Sequence, residues 1–208
     1  MNPHAPIPAA VHSPGTRAAP QSGPVVAPQS GTVLVLGVGN VLYGDEGVGV
    51  HLIHHLRAKY RFPPSVTVMD GGVLGWNLLT VLADYDQVII VDAVAAETGA
   101  VYRFTPHDIP PAIQYGKLSS HEWEVPELLW AMETHGDLPD TTLVAIGVDP
   151  AQTLSGGART ELSPLIRARL GALETVVISE LERKGVGPVA VDERVKPHLD
   201  LLGLVRAS

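Results

Sequence analysis

The sequence contains no cysteine, which excludes a disulfide framework, a thiolate metal site and a cysteine nucleophile. It has no cluster of lysine and arginine, and 14 basic against 22 acidic side chains give a formal net charge of -8. That balance disfavours a nucleic-acid footprint or an anionic-membrane surface. No apolar run approaches the roughly 18 residues that a membrane helix needs, and the amino-terminal segment lacks the apolar core of a signal peptide. The expectation is a soluble, unexported, cytoplasmic protein with neither a nucleic acid nor a membrane as partner. Three catalytic signatures are also missing: a Gly-x-Ser-x-Gly elbow, a His-Glu-x-x-His helix and a P-loop.

What is present suffices for one sizeable core. The chain has 208 residues, 45% of them hydrophobic, so a single globular α/β domain is the default. Residues 1–31 hold seven of the 18 prolines, with Arg17 as their one charged side chain. Such a segment buries too little apolar surface to offset its ordering entropy, so a disordered extension is expected there. The domain is expected over 32–186, followed by a tail over 187–208 whose structure stays open.

Within the domain, strands are predicted over Val33–Val38, Ser65–Met69, Gln87–Val91, Val101–Phe104 and Thr141–Val148, from short apolar, β-branched runs bounded by turn residues. Val101–Phe104 is short and carries Arg103, which suits an edge. Helices are predicted from Val48 onward, over Trp76–Leu82, over Trp123–Met132 with a serine N-cap, and from Leu162 to about Lys184, stopping at Gly185. Thr105–Ser120 reads as a long irregular loop, a length that often accompanies function. The alternation predicts a three-layer α/β/α sandwich around a mostly parallel, twisted five-stranded sheet.

The most informative stretch is Val33–Val50, VLVLGVGNVLYGDEGVGV. A buried strand runs into a glycine loop, then an acidic pair, then a helix marked by Val48, Leu52, Ile53 and Leu56. Ligands bind at this end of strands in open α/β sheets. A dinucleotide fingerprint fails, because Leu42 stands where a third small residue is needed and Asp45-Glu46 would repel a pyrophosphate. A second candidate is a metal site of Glu46, Asp92 and His121, separated by 46 and 29 positions. Each falls past a predicted strand or on the long loop, and two oxygens with one imidazole suit a divalent transition ion. Glu46 could equally stabilise a helix start, Asp92 could cap a turn, and His121 could be a lone or capping histidine. Asp70, beside Gly71 and Gly72, is a further strand-end carboxylate that could be a turn former. Trp76, Trp123 and Trp130 read most simply as core or groove-lining, and His54-His55 as surface.

The motifs GVGNVLYGDEGVGV, MDGG, IIVDAV, SSHE and LVAIGVDP, in that order, resemble those of the maturation endopeptidases of nickel-iron hydrogenases. The resemblance covers about residues 32–186. It implies an α/β/α fold around a five-stranded sheet and a protease that trims a C-terminal peptide from the hydrogenase large-subunit precursor after nickel insertion. By resemblance Glu46, Asp92 and His121 match the metal-binding positions, the metal being the nickel of the substrate and not a resident cofactor. Asp70 matches the acid of the Asp-Gly-Gly element and is the first choice for general base or for orienting the peptide, with Asp45 a weaker candidate. The family has also been grouped with aspartic-type peptidases. Val73 stands where the family often has threonine, which bears on the identity of the partner. A monomer is expected. The alternatives are a non-catalytic metallochaperone using the same ligands, or a nucleotide- or methyl-donor-binding α/β protein.

Overall fold

The computed structural model describes residues 31–73, 75–110, 125–151 and 158–191. The proline-rich extension expected over 1–31 therefore lies outside the described residues up to position 30, as do 111–124, with His121, and the tail beyond 191. In chain order the elements are β1 (Val33–Val38), α1 (Val48–Lys59), β2 (Tyr60–Arg61), β3 (Val66–Gly72), α2 (Leu78–Leu82), β4 (Gln87–Ala95), β5 (Val101–Phe104), α3 (Val125–His135), β6 (Asp140–Val148), α4 (Pro164–Arg183) and β7 (Val189–Ala190). The main sheet has the order β3-β1-β4-β6-β5. All its pairings are parallel except β5 on β6, so the predicted edge strand is an edge and runs antiparallel.

Every residue of β1 is buried, because helices cover both faces of the sheet and a two-residue alternation supplies each face in turn. Val33, Val35 and Val91 pack with Leu52 and Ile53 of α1 and with Ile166 and Leu173 of α4. Leu34, Leu36 and Ile90 pack on the opposite face with Leu78 and Leu82 of α2 and with Leu128, Leu129 and Met132 of α3. Each fully buried Leu or Ile contributes on the order of 1.5–3 kcal/mol of transfer free energy. The three layers and the mostly parallel five-stranded sheet are those read from the sequence.

Several boundaries differ from the expectation. β4 does not end at Asp92 but runs on to Ala95, because β6 continues alongside it with Ala93 opposite Ile146 and Ala95 opposite Val148. The start of the last helix moves from Leu162 to Pro164, with the Ser163 hydroxyl accepting from the Ile166 N–H. Trp76 and Trp130 are exposed, not core. The beginning of the tail is ordered: β7 pairs antiparallel with β2. That contact joins residues more than a hundred positions apart, so no local pattern announces it. At the β3 edge of the main sheet, Arg57 donates to the Val68 carbonyl oxygen.

Candidate active site

The loop after β1 is built by local hydrogen bonds and then braced from a distance. Asn40 accepts the Leu42 N–H on its side chain and the Tyr43 N–H on its carbonyl, each at 3.0 Å, a turn that asparagine favours. A 3-10 turn over Gly44–Gly47 follows and leads directly into α1. From the far end of the chain, Arg159 donates its N–H to Leu42 O at 2.8 Å and accepts the Gly44 N–H at 2.6 Å. The His51 Nε2–H donates to Thr160 O at 3.1 Å.

The acidic pair is buried, Asp45 at 5% exposure and Glu46 at 4%, and its two members part company. Asp45 accepts the Ser163 N–H at 2.6 Å, so it ties the loop to the start of α4. Its contacts are structural. Glu46 sits where the turn meets the sheet: its carbonyl lies against Gly39, immediately past β1. Gly49 brings α1 onto the ends of two strands, for a Cβ there would overlap the carbonyl oxygens of Val38 and Val91. The turn carrying Glu46 thus leads into α1 where that helix is pressed against the end of β1 and against Val91 of β4, the residue before Asp92.

Asp92 is half-buried and accepts the Ala93 N–H at 2.7 Å. It shares the parity of Ile90 and Val94, whose side chains join the α2–α3 face. Asp70 has the parity of Val66 and Val68, which join the α1–α4 face. Its Oδ1 accepts the Gly72 N–H at 3.0 Å, and its Oδ2 lies 3.1 Å from His54 Nε2. Asp70 and Asp92 therefore belong to opposite faces, and their strands flank β1, two strand spacings or about 10 Å apart. Glu46, Asp92 and Asp70 all lie at one end of the sheet, since Asp70 and Val91 both pair with Gly37 of β1, but Asp70 is on the face opposite that of Asp92. Among the described residues, no three His, Asp or Glu side chains form an ion-holding group; His121 lies outside those residues.

The donor set of Glu46 and Asp92 supplies carboxylate oxygens, which bind divalent cations and accept protons. Sequence reasoning missed Arg159 and Ser163, whose part in the site depends wholly on the return of a distant loop. It also missed the His54–Asp70 pair, although a histidine on the exposed side of α1 was legible.

A family model described as hydrogenase maturation protease matches residues 50–180, which include Asp70, Asp92 and His121. The chain is 32% identical over 153 residues to the hydrogenase 2 maturation protease of Escherichia coli, spanning 73% of this chain and 91% of that protein. It is 30% identical over 168 residues to the hydrogenase expression/formation protein HupD of Bradyrhizobium diazoefficiens, spanning 77% of this chain and 86% of that one. Among solved structures, the hydrogenase maturating endopeptidase HybD of E. coli superposes with a TM-score of 0.65 at 29% identity, over 76% of this chain and 97% of its own. The solution structure of an E. coli endopeptidase gives 0.66 at 30% identity, with the same coverage of 76% and 97%. On this fold, with these motifs, the chain belongs to the hydrogenase maturation protease family and is a hydrolase of the endopeptidase kind.

Proposed function

We propose that this enzyme removes the C-terminal extension of a nickel-iron hydrogenase large-subunit precursor after nickel insertion, and that Glu46, Asp92 and His121 read the nickel of the substrate. The observation that carries this reading is the braced, buried turn that bears Glu46 and leads into α1 where the helix packs on Val91, the residue before Asp92 in β4. Two supports come from chain order: α3 packs on the face to which Asp92 belongs, and His121 precedes its first residue, Val125, by four positions. A precursor lacking nickel offers these carboxylates no cation, so binding itself tests for completion of the metal centre. The ion is substrate, not a resident cofactor.

Hydrolysis requires water to attack the scissile carbonyl, a base to take the water proton, and the leaving amine to be protonated as the C–N bond breaks. Coordination of the substrate's nickel near that carbonyl would polarise it or acidify water, an effect that can lower the pKa of water from roughly 15.7 to about 7. For Asp70 the contacts favour orientation of the peptide over proton transfer, since both oxygens are engaged and its face is opposite that of Asp92. We place the reaction in the cytoplasm and the enzyme as a monomer; among the described residues no helix is long and apolar enough to cross a membrane.

The test is a mass measurement on the nickel-loaded large-subunit precursor before and after incubation with this protein. Loss of a short C-terminal peptide, absent with nickel-free precursor, supports the proposal. An unchanged mass under confirmed binding would favour a non-catalytic chaperone.

A further inference from the structure

We infer that Arg159 is a substrate-positioning residue that receives a carboxylate of the precursor at the rim of the site; the inference rests on the proposed cleavage reaction. The described lysines and arginines are mostly engaged: Lys59 with Glu174, Arg103 and Arg183 with Glu180, Lys184 with Asp140, Arg167 with Glu161, Arg57 and Arg169 with backbone carbonyls. In a chain with formal net charge -8, such pairing is the default for a cation. Arg61 and Arg159 depart from it, with no side-chain hydrogen bond or ion pair among the described residues. An unpaired arginine is ordinary on a mobile surface. Arg159 is anything but loosely attached, since its backbone N–H and C=O are clamped to Leu42 and Gly44 and it forms a parallel bridge with Tyr43.

Its side chain is positioned as well. Gly44 has φ 60°, and a Cβ built there would lie 3.2 Å from both Nε and Nη2 of Arg159. The guanidinium thus rests on a residue without a side chain, two positions from Glu46. Beside it, Leu42 and Tyr43 are 53% and 40% exposed, large apolar groups left uncovered in the loop that carries the site. A held cation next to exposed apolar groups fits a peptide segment that presents a carboxylate with apolar neighbours. A guanidinium fork suits a carboxylate in particular. The carboxylate could be an Asp or Glu side chain of the extension or its terminal group.

Because the brace uses the Arg159 main chain, replacing the side chain leaves the loop in place and isolates the charge. Arg159→Gln should raise KM for the nickel-loaded precursor about three- to tenfold, Arg159→Glu more, with kcat held and the salt dependence of kcat/KM reduced. Arg159→Lys should recover part of the loss, and the thermal transition should stay unchanged in all three. To find the source of the carboxylate, one precursor has residues appended to its C-terminus and a second has the Asp and Glu of the extension changed to Asn and Gln. The substrate that erases the difference between wild type and Arg159→Gln names the group. Unchanged KM and salt slope in Arg159→Glu overturns the inference while leaving the protease intact, as does a KM effect that neither precursor erases. Failure of the wild type to cleave at all removes both readings.

Discussion

The Ser163 backbone N–H donates to Asp45 Oδ1 at 2.6 Å across 118 positions of chain, and this bond divides the roles of two adjacent acids. Asp45 anchors the returning loop, and Glu46 is the member of the pair that the proposed function assigns to the substrate's nickel. Asp45→Ala removes the acceptor from a part-buried donor, so the loss should fall toward the lower end of the roughly 1–3 kcal/mol that a buried unsatisfied donor costs. Urea unfolding of Asp45→Ala should show that loss, with Asp45→Asn losing less because an amide oxygen still accepts.

Glu46→Gln keeps the size and removes the charge. Processing of the nickel-loaded precursor should be abolished, while the thermal transition shifts little compared with Asp45→Ala. Normal processing by Glu46→Gln would refute the assignment of Glu46 to the metal-reading set.

Asp70→Asn removes the charge, and His54→Gln the imidazole, from the pair at 3.1 Å. If the pair orients the peptide, both variants should raise KM severalfold and leave kcat within about twofold. Steady-state kinetics on the precursor decide it: loss confined to kcat in Asp70→Asn would instead mark Asp70 as a proton acceptor.

Replacing glycine by alanine inside a helix usually stabilises by roughly 0.5–1 kcal/mol. At Gly49 the sign should reverse, because the added methyl meets the backbone carbonyls of Val38 and Val91 and neither can withdraw without parting α1 from the sheet. Gly49→Ala is expected to lose at least the 1–3 kcal/mol typical of overpacking in denaturant unfolding, and activity with it, since the Glu46 turn rides on that junction.

The pH dependence of stability should report on two buried glutamates of α4. Burial works against the charge of Glu174 and Glu180, but hydrogen bonds from Lys59, Tyr60 and His55 to the first, and from Arg103 and Arg183 to the second, outweigh it and hold both carboxyls below their ordinary range. A carboxyl whose pKa is lower folded than unfolded stabilises fully above the unfolded value, about 4.3 for Glu, and loses that contribution as pH falls through the folded value. Glu180→Gln should therefore be less stable than wild type near neutrality, with the gap closing below about pH 4. A gap that persists undiminished into acid would mean that the glutamate acts by packing alone.

The sequence by itself determined the strands, the glycine loop, the acidic pair and the order of motifs, because each is a local pattern of a few residues. β1 shows this best: six apolar or small residues, Val33–Val38, all buried, with nowhere to go but the interior of a mostly parallel sheet. The ligand candidates Glu46 and Asp92 were legible for the same reason, as acids at or near the ends of apolar runs. Tertiary structure decided what surrounds those acids. Only the loop returning with Arg159 and Ser163 separates Asp45 from Glu46. Only the length of β6 carries β4 past Asp92, and only the packing of the helices assigns Asp70 and Asp92 to opposite faces. Such facts rest on contacts between residues far apart in the chain, and a linear pattern does not record which distant segment will arrive.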